Sequence, residues 1–194
     1  MSRLLSLLLF CALVTGGAAR AAEVQERVRG NPDAPVTMIE YSSLTCPHCA
    51  AFHQETLPAL KERYIDTGKV KHVMRDFPLD QYALQAAVVA HCAGPDRYFT
   101  FLDALFAAQQ NWARASNPTE ALKQFARLGG LPPEQVDACL ADQAMQDAVL
   151  QIRLEGEQQY NIRSTPSFII NGELFAGART IDGFAEIIDP LVAQ

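Results

Sequence analysis

The sequence predicts an α/β protein whose mixed central sheet is interrupted by an inserted all-helical subdomain. Three observations support this fold class. Two apolar segments, 36–41 and 70–77, flank a long helical pattern, and a strand–helix–strand unit implies a parallel pair with a right-handed crossover. Residues 81–160 then read as consecutive helices. After them, a strand, a two-residue hairpin signal at Asn171-Gly172 and a last helix predict an antiparallel second half.

The first strand, 36–41, leads into a helical pattern that runs from about Pro47 to Asp66, with apolar side chains near the 3.6-residue period. Pro58 lies inside this pattern. It should kink the helix, because proline has no N–H to donate and its ring clashes with the preceding turn. Residues 23–35 read as a short polar lead-in that is too brief for a separate dimerisation domain.

The helical block consists of five predicted helices, separated by breaks rich in glycine and proline. These helices cover residues 81–93, 96–110, 118–128, 133–141 and 142–160. We therefore divide the chain into a signal peptide (1–21), a first half of the sheet domain (22–80), a helical insertion (81–150) and a second half (151–194).

The N-terminus has the pattern of a secretory signal. Arg3 precedes an apolar run over residues 4–14, and Ala19-Arg20-Ala21 fits a cleavage site with small residues. The run is too short to span a bilayer, which takes about 20 residues. We expect cleavage and export to an oxidising compartment, with the bacterial periplasm as the natural destination. An uncleaved membrane anchor is the alternative.

Export would leave a strongly acidic protein. Removing residues 1–21 takes away two of the 16 basic side chains and none of the 22 acidic ones, so 14 against 22 gives a formal charge of −8. This excess argues against nucleic acid, and against an anionic membrane surface, as the main partner.

The candidate reactive site is Cys46-Pro47-His48-Cys49, which lies at the predicted start of the long helix. A helix N-terminus offers unpaired N–H groups and a positive dipole end, and both favour a thiolate. We therefore expect the pKa of Cys46 to fall below about 8.5. Pro47 suits the first helical position, and His48 adds an N–H donor and, when protonated, a positive charge. Cys49 is placed to attack a mixed disulfide on Cys46, as in thiol–disulfide exchange; we expect Cys46 to be the exposed thiol and Cys49 the buried one.

Two other roles would use the same pair of cysteines. A zinc site usually has four ligands, but the chain has no second C-x2-C, and His53, His72 and His91 show no paired H-x3–5-H spacing among themselves. A purely structural disulfide would close a loop of only four residues and add little stability.

Two segments of the chain resemble the signatures of a known family. Residues 40–49, EYSSLTCPHC, are similar to the active-site segment of the DsbA-like thiol–disulfide oxidoreductases, which belong to the thioredoxin-fold superfamily. Residues 161–172, NIRSTPSFIING, resemble the cis-proline loop and following strand of that family. The resemblance covers roughly Pro35 to the C-terminus. It implies a thioredoxin fold with a helical insertion, and no metal or organic cofactor besides the redox-active Cys46–Cys49 disulfide.

The resemblance also implies roles for three further residues. Glu40 matches a buried acid of the family that takes or delivers the proton of Cys49. Pro166 matches the cis-proline, and the backbone of Thr165 would pair with an extended substrate like an added strand. Without the resemblance, Glu40 reads as a solvated carboxylate at a strand end and Pro166 as an ordinary trans turn.

Cys92 and Cys139 are the other two cysteines that remain if Cys11 leaves with the signal peptide. In an oxidising compartment two spare thiols more often pair than stay free, so we predict a structural disulfide between two insertion helices. Two buried small hydrophobic side chains are the alternative.

We therefore predict an exported thiol:disulfide oxidoreductase that introduces disulfides into unfolded exported proteins. By analogy with the family, a quinone-linked membrane partner of the DsbB type would reoxidise it. We expect a monomer, because the chain shows no heptad pattern for a coiled coil. The alternatives are a reductase or isomerase kept reduced in the same compartment, and a holdase that uses this scaffold without turnover.

Overall fold

The computed structural model describes residues 24–193, and the predicted signal peptide lies outside the described residues. Its centre is a five-stranded sheet in the order β1-β3-β2-β4-β5. The strands are β1 (Arg27–Arg29), β2 (Val36–Ser42), β3 (Val70–Asp76), β4 (Ser167–Ile170) and β5 (Glu173–Ala176). The pair β2–β3 is parallel and the other three pairs are antiparallel. The prediction of a mixed sheet is confirmed.

Strand β1 lies within the segment that reads from the sequence as a polar lead-in. It pairs antiparallel with β3, and two of its three residues are arginines. The Arg27 guanidinium lies 5.0 Å from the ring centroid of Tyr98, and that of Arg29 lies 4.2 Å from the centroid of Phe99. Cation–π contacts of this kind let charged side chains cover an apolar surface, which is why the strand has no apolar signature.

Residues 47–65 form one continuous helical run, here called the long helix. It consists of α1 (Pro47–Ala51), a first π-helical segment (Phe52–Thr56), α2 (Leu57–Leu60) and a second π-helical segment (Lys61–Ile65). The first π segment comes just before Pro58. The wider π-helical turn accommodates a residue that has no N–H to donate. The disturbance predicted at Pro58 therefore appears as a π-helical segment.

Seven more helices complete the described part of the chain. They are α3 (Gln81–Cys92), α4 (Pro95–Ala107), α5 (Gln109–Ala113), α6 (Pro118–Leu128), α7 (Pro133–Ala141), α8 (Gln143–Tyr160) and α9 (Ile181–Val192). The single helix predicted over 96–110 is therefore two helices, α4 and α5, which meet at Ala108. Helix α8 runs without a break through residue 150, so the predicted end of the insertion falls inside a helix. Among residues 24–193, no helix is both long and apolar enough to cross a membrane.

The two faces of the sheet are covered by different helices. On one face, the long helix and α9 pack through the rings of Phe52, Phe168 and Phe184, whose centroids are 4.9 to 5.7 Å apart. On the other face, α8 approaches Tyr41 so closely that a Cβ atom at Gly156 would lie 2.6 Å from its ring. Glycine at this position is what allows the approach. The insertion helices build a second apolar core, which also includes Leu44, Cys46, Cys49, Ala50 and Met74 of the sheet domain.

A disulfide joins two helices of the insertion. Cys92 at the end of α3 and Cys139 in α7 are bonded, with Cα atoms 6.4 Å apart and a sequence separation of 47. The bridge therefore closes a loop that contains all of α4, α5 and α6.

Replacing Cys92 and Cys139 together by alanine should lower the free energy of unfolding by about 4 kcal/mol, the chain-entropy value for a loop of this size. Urea denaturation of both proteins, with the Cys46–Cys49 pair in the same redox state, measures the difference. Far-ultraviolet circular dichroism of the variant should show an unchanged helix content. A loss below about 1 kcal/mol would contradict a bridge that restricts the denatured chain.

Candidate active site

The thiol of Cys46 lies between the end of β2 and the start of the long helix. Cys46 is the N-cap residue of α1, with an extended backbone (φ −78°, ψ 120°), and Pro47 takes the first helical position. The backbone N–H groups of His48 and Cys49 are directed at the Cys46 sulfur. Polar N-cap side chains commonly accept hydrogen bonds from N–H groups at these positions, and here the group beside them is a sulfur atom. The side chains of Pro47 and His48 are exposed.

These contacts lower the pKa of the Cys46 thiol to about 5. The largest cause is a hydrogen bond with the Cys49 thiol; the Thr165 side chain and the two backbone N–H groups lower it further, against burial. Cys46 is only 6% exposed. The prediction of an exposed Cys46 thiol is therefore wrong, because the loop that contains Thr165 covers it.

Cys49 is fully buried. Burial, with the hydrogen bond and the charge of Cys46, raises the pKa of its thiol well above the ordinary value. The Ser42 side chain and the Ser43 backbone also contact the thiol and oppose the rise without cancelling it. Both thiols are free in this structure. The pair thus combines an acidic thiol with one that stays protonated.

The loop before β4 lies directly against the first cysteine. The Thr165–Pro166 peptide bond is cis, and the Thr165 carbonyl accepts a hydrogen bond from the Cys46 thiol at 3.3 Å. The Pro166 carbonyl accepts from the backbone N–H of Gly177 at 2.9 Å, which ties the loop to the end of β5. The fold therefore joins two segments that are 119 residues apart in the sequence.

The helical insertion also contributes to the site. Gln109, in α5, is 3% exposed, and its side-chain amide donates to the carbonyl oxygens of Leu44 and Cys46 at 2.9 and 3.0 Å. These two bonds fix the turn that carries Cys46 to a helix outside the sheet domain. Gln109 gives no signal in the sequence, because its role depends on a contact 63 residues away.

Glu40 lies under the site in a fully buried position. Its two carboxylate oxygens bind Nε2 of His53 and Nε2 of His72, each at 2.9 Å. Burial alone would raise the pKa of this carboxyl, but the charge and hydrogen bond of His53, and then those of His72, hold the pKa well below its usual range. The groups that contact Cys49 itself are those of Ser42 and Ser43, described above.

The pKa values of the two histidines are shifted in opposite directions. For both histidines, burial lowers the pKa and Glu40 raises it. The pKa of His53 is raised, with Asp103 adding to the effect of Glu40, whereas burial dominates at His72 and lowers its pKa. Asp103 comes within 3.5 Å of His53 Nδ1 and also binds Arg29. Sequence reasoning assigned His53 no role. Its position seven residues after Cys46, two turns along one helix face, was the available signal.

No metal site accompanies this arrangement. Within residues 24–193, no group of three or more histidine, cysteine, aspartate or glutamate side chains could hold a metal ion.

Comparisons with known proteins agree with the geometry. Residues 22–190 match the model of a family described as thioredoxin. A Rickettsia felis protein that carries the provisional name protein-disulfide oxidoreductase is 34% identical over 170 residues, which are 87% of this chain. The chain spans only 61% of that relative's length.

Two solved structures have the same fold over most of their length. Wolbachia pipientis alpha-DsbA1 is 34% identical with a TM-score of 0.80, and the match covers 87% of this chain and 91% of that one. A protein-disulfide isomerase from Novosphingobium aromaticivorans is 26% identical with a TM-score of 0.78, over 89% of this chain and 100% of the other. The chain therefore belongs to the DsbA-like proteins of the thioredoxin family.

Proposed function

We propose that this protein is a thiol:disulfide oxidoreductase that donates its Cys46–Cys49 disulfide to exported proteins. The observation that carries the proposal is the opposite shift of two neighbouring thiol pKa values, to about 5 for Cys46 and upward for Cys49. A thiol whose conjugate base is stable leaves easily from a disulfide. The names of the Rickettsia and Wolbachia relatives support the same chemistry.

The reaction starts from the oxidised protein. A substrate thiolate attacks Cys46 Sγ, the Cys46–Cys49 bond breaks, and Cys49 leaves and takes up a proton. A second substrate thiolate then attacks the substrate sulfur of the mixed disulfide. Cys46 departs as a thiolate, stabilised by its hydrogen bonds. Two electrons pass from the substrate dithiol to the protein, and the substrate keeps the new disulfide.

The surrounding residues take supporting roles in this scheme. The backbone of Thr165, beside the cis-proline Pro166, pairs with an extended substrate chain. Pro47 begins the helix, and His48 presents its backbone N–H to the Cys46 sulfur. Glu40 exchanges the proton of Cys49. The scheme uses no metal or organic cofactor.

The compartment and the partners complete the proposal. Residues 1–21 act as a cleaved signal peptide, and the mature chain works as a monomer in the periplasm, where disulfides persist. Its substrates are unfolded exported proteins with pairs of cysteines. A quinone-linked membrane protein of the DsbB type restores the Cys46–Cys49 disulfide.

Mixing the oxidised protein with a two-cysteine peptide tests the direction of exchange. We expect one peptide disulfide to form per protein. A one-cysteine peptide, which lacks the second thiol that releases Cys46, should give a trapped mixed disulfide with Cys49→Ser after Cys46 has been activated by an aromatic disulfide. Cys46→Ser is the inactive control. An inert oxidised form, together with rapid reduction of insulin by the reduced form, would instead identify a reductase or isomerase. Inactivity in both directions would indicate a holdase.

The absorbance of the thiolate against pH should show Cys46 titrating near pH 5 in the reduced protein. Cys46→Ser should lose this transition, and Cys49→Ala should keep it but move it upward, because the Cys49 hydrogen bond is the largest cause of the shift. A transition near 8.5, the value of a free thiol, would contradict the proposed leaving group.

Reduction should stabilise the protein at neutral pH. A thiol whose pKa is lower in the folded than in the unfolded protein stabilises the fold. This contribution is complete above the unfolded-state pKa of about 8.5 and is lost as the pH falls through the folded-state pKa. With a folded pKa of about 5, up to about 3 kcal/mol remains at pH 7. Urea denaturation of both redox forms should give a larger free energy of unfolding for the reduced form at pH 7 and at pH 5, with the smaller difference at pH 5. A more stable oxidised form at pH 7 would favour a reductase.

A further inference from the structure

This inference rests on the proposed exchange function, in which each cycle delivers one proton to a buried sulfur. When substrate attacks Cys46, the leaving sulfur is that of Cys49, in a fully buried position where the thiolate is disfavoured. Glu40 lies in the same interior but is itself held as a carboxylate by its two histidines. Glu40 can therefore give a proton away only if another group returns one.

A line of contacts leads from Glu40 to the surface. Its Oε1 is 2.9 Å from His53 Nε2, and the opposite nitrogen of the same ring, Nδ1, is 3.5 Å from Oδ1 of Asp103. The side chains of Glu40 and His53 are 0% and 2% exposed, whereas that of Asp103 is 46% exposed. One imidazole thus separates a fully buried carboxylate from one that reaches solvent.

The second histidine bound to Glu40 does not extend this line of contacts to the surface. Nδ1 is buried without a hydrogen bond in both histidines, but within residues 24–193 His72 has no ion-pair partner other than Glu40, which lies 2.9 Å from its Nε2. His53 differs because each of its ring nitrogens faces a carboxylate, so it can release a proton on one side and gain one on the other. The ring of Phe106 stacks on His53 with centroids 4.0 Å apart, which holds the imidazole in this orientation.

Ser42 connects the other end of the line to the thiol. It lies two residues after Glu40 in β2, and residues at this spacing point to the same face of a strand, about 7 Å apart. The Ser42 side chain contacts the Cys49 thiol. Its hydroxyl is buried and makes no hydrogen bond of standard geometry within residues 24–193, so its donor and its acceptor sites are both available during the reaction.

We propose that His53 is a positioning residue that passes protons from solvent to Glu40, with Asp103 at the solvent end of the path. As the substrate sulfur bonds to Cys46, the electron pair of the broken S–S bond stays on Cys49, and the Ser42 hydroxyl passes it a proton that comes from Glu40. His53, carrying its proton on Nε2, gives that proton to Glu40 as water beside Asp103 protonates Nδ1, so the ring changes tautomer, and reoxidation of the cysteine pair reverses the transfer. The charged and titratable groups around His53 are Glu40 on β2, His72 on β3, Asp103 on α4 and Arg29 on β1.

The test is the single-turnover rate at which a two-cysteine peptide reduces the oxidised protein between pH 5 and pH 9, expressed per peptide thiolate. His53→Gln keeps a donor toward Glu40 but cannot titrate. We expect it to be at least about tenfold slower, because positioned proton transfer contributes about 10²- to 10⁴-fold, and to show no pH step. Forward and reverse rates should fall together, so the equilibrium constant with glutathione should change less than the rate.

Asp103→Asn is the second variant, on a half-exposed side chain that should tolerate the change. It should slow the reaction and move the pH step downward, because Asp103 raises the pKa of His53. His91→Gln is the matched control: it removes another buried imidazole, bound to Asp76 at 2.7 Å, and should leave the rate unchanged.

Three results would overturn the relay. These are wild-type rates in both His53→Gln and Asp103→Asn at every pH, a loss of rate matched by an equal change in the equilibrium constant, or an equal loss in His91→Gln. If the wild-type protein itself failed to oxidise the peptide, the proposed function would fall instead, so the two failures are distinguishable.

Discussion

The hydrogen bond between Cys46 and Cys49 is the interaction on which the rest of this site depends. It requires the chain to leave β2 and begin the long helix within a few residues, with one sulfur at the N-cap position and the other one turn inward. The two thiols share one environment, yet one is turned toward the covering loop and the other toward the interior. The two acidities differ because of where each sulfur lies in the fold.

The helical insertion is part of this arrangement rather than an addition to it. Gln109 holds the turn from one side, and Asp103 reaches the buried charges from another. The disulfide between Cys92 and Cys139 encloses the helices that carry both residues. A rigid insertion therefore affects the ionisation of the Cys46 thiol, which lies outside the insertion.

The sequence was most informative where structure is local. The motif at Cys46, the loop at Pro166 and the hairpin at Asn171-Gly172 are set by short-range chemistry, and the elements around them appear where they were expected. Features that depend on distant partners were not predictable. Strand β1 hides its apolar contacts behind two arginines, the break at Ala108 has neither glycine nor proline, and the link between His53 and Asp103 crosses from one subdomain to the other.

The central position of β4 has a consequence for the order in which the protein can be assembled. This strand pairs with β2, where Ile170 lies opposite Met38, so the middle of the sheet is completed by a strand that follows β2 only after the whole helical insertion. Pairing over such a distance is slow compared with the formation of local helices. A chain synthesised only as far as the insertion thus has both cysteines of the site but none of the loop that covers Cys46. During that interval the Cys46 thiol is open to any thiol or disulfide in its surroundings, before the loop that restricts access to it is in place.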